Sequence, residues 1–111
     1  EAGIALAGGS DAPFASAGPW DAMRAAVSRE TREGRIVGED EALSPEAALS
    51  LYLADPADLT RQRRIAVGEP ADLVLLDRPW SEARERLTSA DVRATLAAGR
   101  LLYDGIDQPP A

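Results

Sequence analysis

Residues 3–14 read GIALAGGSDAPF: an apolar run from Gly3 to Ala7 enters Gly8-Gly9, then Ser10-Asp11-Ala12-Pro13. A short apolar run bounded by glycines fits a strand buried on both faces. Pro19 then suits the first position of a helix, and Trp20, Met23 and Val27 recur at i, i+3 and i+7, which predicts a helix from about Pro19 to Glu30. Strand, loop and helix in that order put Asp11 just past the carboxyl end of a strand. In parallel α/β structures ligands bind on that side. The bland alternative is that Asp11 is a turn former or helix cap among Gly, Ser and Pro. A third reading, a phosphate cradle at Gly8-Gly9-Ser10, lacks the lysine and glycine spacing of a P-loop.

Outward from this stretch the chain continues with a glycine-flanked loop, Gly34 to Gly38, and the acidic run Glu39-Asp40-Glu41. Three consecutive acids read as a solvated loop, since the regular oxygen-ligand spacing of a calcium loop is absent. Ser44 as N-cap and Pro45 at N1 start a second helix with Ala48, Leu51 and Tyr52 on its stripe, ending before Pro56. The second half changes character. Arg64 to Val67 and Leu73 to Leu76 read as strands around a Gly68-Glu69-Pro70 turn. Ser81 is a candidate cap for a short helix reaching about Leu87. Val92 to Ala97 and Arg100 to Tyr103 read as a hairpin around Gly99. Trp20 reads as core, Asp72 as a turn residue, and Arg61, Arg63 and Arg64 as surface-paired cations.

Composition narrows the function classes. The 111 residues carry 19 acids against 12 basic residues, all arginine, for a net charge of −7. Ten of the acids and only four of the arginines precede Pro56. Such a surface is wrong for nucleic acid or an anionic membrane. Neither cysteine nor histidine occurs, so a disulfide framework, a thiolate or imidazole metal site and a cysteine nucleophile are all excluded. No apolar run approaches the roughly 20 residues of a membrane span, and no signal peptide is evident. A cytoplasmic location is expected. The only methionine is Met23, which suggests a piece of a longer polypeptide.

Five segments in order, AGIALAGGSDAPF, GPWDAMRAAVSRETREG, LSPEAALSLY, GEPADLVLLD and VRATLAAGRLLYDG, resemble the carboxy-terminal portion of the metal-dependent amidohydrolase superfamily, in its family 3 branch. The resemblance implies an α+β fragment: the last strand-helix unit of a (β/α)8 TIM barrel, followed by carboxy-terminal strands of a composite β-sandwich. It implies a barrel segment over residues 1–60 and a sandwich segment over 61–106; the proline-rich tail over 107–111 is expected to be disordered. It also implies that the parent is a hydrolase of carbon–nitrogen bonds in amides or cyclic amides, acting on a small molecule. By the match of GGSDAP, Asp11 would be both metal-contacting and catalytic, accepting a proton from metal-bound water. Asp72 matches a family position that is not catalytic.

Two departures accompany the matches. The family's metal, a divalent ion and by expectation zinc, is held by histidines and often a modified lysine. This chain has neither. Zinc takes three or four protein ligands, so no metal is expected on this chain alone and the isolated polypeptide is expected to be inactive. Leu53 also stands where the family's helix commonly ends in threonine. Two other readings are a freestanding noncatalytic interaction module and a ligand-binding barrel homologue that lost its metal. Strands deprived of neighbours favour association, so a homo-oligomer is expected.

Overall fold

The computed structural model describes residues 3–105, as two compact units, one up to Arg64 and the other from Ile65. Both mix helix and strand, and no barrel is closed among the described residues. The expected tail at 107–111 lies outside them.

In the first unit, helix α1 spans Pro19–Ser28, with Pro19 at N1 and Gly18 as N-cap. Met23 is buried, while Trp20 and Val27 are half-buried beside it, as the stripe predicts. The helix ends two residues before the expected Glu30. Arg29 turns left-handed at φ 57°, and its amide closes the last turn on the Ala25 carbonyl. That conformation lets the Arg29 guanidinium donate to the Val37 carbonyl at 2.9 Å and pair with Glu41 at 3.5 Å. The acidic run is accordingly a single 3-10 turn, Glu39–Glu41, with one of its acids in an ion pair.

Helix α2, Pro45–Leu53, begins as its residues dictate: the Ser44 side chain accepts the Ala47 amide at 3.1 Å. Ala48 is completely buried. The helix packs against α1, and the Leu43 amide donates to the Ala26 carbonyl at 3.0 Å. Beyond it, β1 (Ala54–Asp55) and β2 (Asp58–Gln62) form an antiparallel hairpin. This hairpin replaces the strand expected at Arg64 to Val67, which has no ladder partner among the described residues. Asp55 and Asp58 carboxylates accept the amides of Ala57 and Thr60, making turns that favour pairing earlier in the chain. The Arg63 amide and Gln62 side chain then bond the Leu53 and Ser50 carbonyls, tying β2 to the end of α2.

The strand expected at Gly3 to Ala7 is also absent. This segment has no regular structure, with Ile4 and Leu6 exposed and Gly3 at φ 67°. A strand requires a neighbour to satisfy its backbone ladder, and none of the described residues supplies one.

The second unit holds a three-stranded antiparallel sheet in the order β3 (Leu73–Leu76), β4 (Val92–Ala97), β5 (Arg100–Asp104). All three strands fall where the sequence predicts them. The β4–β5 turn places Ala98 at φ 50° and Gly99 at φ 77°, the paired positive angles of a tight hairpin whose twist matches the strands. Helix α3 is one turn, Trp80–Ala83. Ser81 does not cap it. Pro79 is the N-cap, and its carbonyl accepts the Glu82 and Ala83 amides. The chain leaves the helix early, reaching Leu87 at φ 45°, and Leu87, Ala83 and Ala94 are the buried apolar residues of this unit among those described.

Candidate functional site

The segment around Asp11 is built from turns. The Asp11 carbonyl accepts the Phe14 amide at 3.0 Å, and the Ser10 hydroxyl accepts the Ala12 amide at 3.3 Å. Asp11 itself is left-handed at φ 53°, a conformation that aspartate tolerates better than most residues, and Ala12-Pro13 is cis. Its side chain is exposed. The local turn role weighed from the sequence is therefore real, and it leaves the carboxylate outside, available for chemistry.

Beside this loop runs an open groove of about 560 Å3, bordered by Ser10 and Ser16 on one side and by Asp21, Ala25 and Ser28 of α1 on the other. The Ser16 hydroxyl accepts the Gly18 amide at 3.1 Å and so joins the loop to the start of α1. Asp21 pairs with Arg24 at 2.8 Å along the helix.

On the amino-terminal side of the loop, the Gly8 amide donates to the Leu51 carbonyl at 2.9 Å. The Tyr52 ring lies over the same glycine: a Cβ at Gly8 would stand 2.8 Å from Tyr52 Cζ. Sequence reading places Tyr52 on the stripe of α2 and nothing more. The 44 positions separating it from Gly8 leave no periodic signal to find.

In the second unit the charged cluster centres on Asp91, whose exposure is 1%. Arg86 Nε donates to its Oδ2 at 2.9 Å, and Arg78 Nε stands 3.3 Å from Oδ1. Arg78 also donates to Asp77 at 2.8 Å, which holds the Asp77 carboxyl below its ordinary range and the guanidinium above its own. Sequence reading passed over Asp91 altogether. Its three neighbours in charge come from α3's flanks and the end of β3, and only folding collects them. Asp72, read as a turn residue, accepts the Ala98 amide at 2.9 Å. Arg61, Arg63 and Arg64 each have an interaction partner.

Among the described residues no group of three or more His, Cys, Asp or Glu side chains could hold a metal ion. Nor is any helix among them long and apolar enough to cross a membrane.

The model of one family, described as the amidohydrolase family, matches residues 1–103. The chain belongs to the amidohydrolase family. Among its relatives, N-substituted formamide deformylase of Arthrobacter pascens is 33% identical over 109 residues, covering 94% of this chain and 20% of the relative. YtcJ of Bacillus subtilis strain 168 is 29% identical over 110 residues, covering 92% of this chain and 21% of the relative. The chain thus spans about one fifth of the length of these two curated relatives. No solved structure matches it. The match runs across the Asp11 loop, both longer helices and most of the three-stranded sheet.

Proposed function

We propose that this amidohydrolase chain is the carboxy-terminal part of a hydrolase acting on non-peptide carbon–nitrogen bonds of amides or cyclic amides. In that reading residues 3–18 are the end of the last barrel strand and its loop, α1 is the last barrel helix, and the β3–β4–β5 sheet belongs to a composite β-sandwich. The family match over residues 1–103 carries the reading, because it includes the Asp11 loop. The exposed Gly3 to Ala7 segment is consistent with it. Apolar residues such as Ile4 and Leu6 gain a ladder and burial when strands flank them on both sides.

Asp11 is the catalytic residue this chain contributes. An exposed carboxylate at the carboxyl end of a barrel strand can accept a proton from an attacking water and return it to the leaving nitrogen. Amidohydrolases generally depend on a divalent metal. The donor set among the described residues does not make a metal site: the chain has no histidine, cysteine or lysine, and no group of three or more acidic side chains among those residues could hold an ion. The chain's own part in the reaction is a carboxylate's part, and the polypeptide by itself is inactive.

The name of the 33% identical relative makes an N-substituted formamide the first substrate to offer. In a longer hydrolase carrying this segment, Asp11→Asn should lower kcat by about a hundredfold or more, the usual size of a lost acid–base group. Unchanged kcat would sink the role of Asp11. Turnover by the 111-residue chain alone, with stoichiometric bound metal, would sink the claim that it is inactive.

A further inference from the structure

We propose that Tyr52 is a positioning residue for Asp11: its ring, with the Leu51 carbonyl beside it, seats Gly8 and thereby fixes where the Asp11 carboxylate stands. The inference rests on the reading of Asp11 as proton acceptor. Gly8 does not occupy the left-handed region, so backbone conformation is not what demands a glycine there. Close approach is. A Cβ at Gly8 would meet Tyr52 Cζ at 2.8 Å, Cε2 at 3.1 Å and the hydroxyl at 3.1 Å, whereas a Cβ at the adjacent Gly9 would meet nothing within 4 Å.

The contact therefore singles out one of two neighbouring glycines. It joins the carboxyl end of α2 to a point three residues before Asp11, where the Gly8 amide also donates to Leu51 at 2.9 Å. Beyond Gly9 the Ser10 hydroxyl and the Asp11 carbonyl close turns toward Ala12 and Phe14, so residues 10–14 form one turn unit that follows Gly8 after a single intervening residue. A shift of Gly8 is carried to Asp11 through Gly9 and that unit. A catalytic carboxylate displaced by about 1 Å loses up to a hundredfold in rate.

The test compares Gly8→Ala, Tyr52→Leu and the double variant, in the longer hydrolase for kinetics and in this chain for amide resonances. Gly8→Ala should lower kcat by about tenfold to a hundredfold with KM within about twofold, the signature of a misplaced catalytic group. Adding Tyr52→Leu should recover part of that loss, because the ring that the new methyl meets is gone. Both single variants should move the backbone resonances of Ser10 to Ala12. Should Tyr52→Leu fail to fold, Tyr52→Phe keeps the ring and should leave those resonances near their original places. The proposal is overturned if Gly8→Ala keeps kcat, or if the loop resonances stay fixed in Gly8→Ala. Full activity in an Asp11→Asn control would instead remove the reading of Asp11, and the resonances would still decide whether Tyr52 seats the loop.

Discussion

The Asp72 carboxylate accepts the Ala98 amide at 2.9 Å, binding the residue before β3 to the turn between β4 and β5, 26 positions away. Ala98 is at φ 50°, an unfavourable angle for a residue with a Cβ, and the neighbouring Gly99 amide donates to the Ala71 carbonyl at 3.0 Å. Ala71-Asp72 therefore brace a turn whose own residues do not all favour it. Asp72→Ala should destabilise the chain by about 1 kcal/mol, the usual net value of such a hydrogen bond, and Asp72→Asn should retain most of it through its carbonyl oxygen. Urea unfolding of the two variants checks this, and equal midpoints would refute it.

Asp91 is almost wholly buried, and its carboxylate relies on two arginines, with Oδ1 accepting no hydrogen bond among the described residues. The buried charge is the carboxylate, since the Arg78 and Arg86 side chains are 28% and 48% exposed. Removing an arginine, which leaves that carboxylate less compensated, is the costly change. Arg86→Ala should destabilise the chain by about 2 kcal/mol, the usual cost of a buried acceptor that loses its partner. Asp91→Asn should cost less, because it removes the buried charge and keeps an oxygen that can accept from Arg86. Denaturant titrations that gave the reverse order would refute this.

Acid should weaken the second unit in a defined direction. Arg78 lowers the Asp77 carboxyl below its ordinary value by hydrogen bonding. A carboxyl depressed in the folded state stabilises above its unfolded pKa, near 4, and that stability is lost as pH falls through the folded value. Stability should thus decline as pH drops below about 4, and Asp77→Asn should flatten part of that decline. Thermal melts between neutral and acid pH measure it; an unchanged slope in Asp77→Asn would contradict the assignment.

The three-stranded sheet carries exposed apolar side chains on both faces. Val74 and Leu75 are adjacent in β3 and so point to opposite sides, yet they are 54% and 51% exposed. In β5, Leu101 and Leu102 are 55% and 65% exposed. Bare apolar surface of this kind associates in water. We expect this chain, isolated, to form dimers or larger species through the sheet, and replacement of Leu102 by a charged residue to weaken them. Light scattering of a stable monomer at high micromolar concentration would count against it.

What the linear sequence determined was local. Ser44-Pro45 starts α2, Pro19 starts α1, and the apolar runs around Gly99 form β4 and β5, because capping, fixed proline angles and turn geometry act over a few residues. Asp11 was legible as a loop carboxylate, and its family as an ordered set of motifs. Tertiary structure decided the rest. Whether Gly3 to Ala7 pairs as a strand depends on neighbours the described residues do not supply, and the β1–β2 hairpin wins over a strand at Arg64 because side-chain turns and the end of α2 offer it partners. The contacts of Asp91 with Arg78 and Arg86, of Asp72 with Ala98, and of Gly8 with Tyr52 join residues by space, where no periodicity reaches. That is why an unremarkable tyrosine on α2 became the support of the Asp11 loop only once the chain was folded.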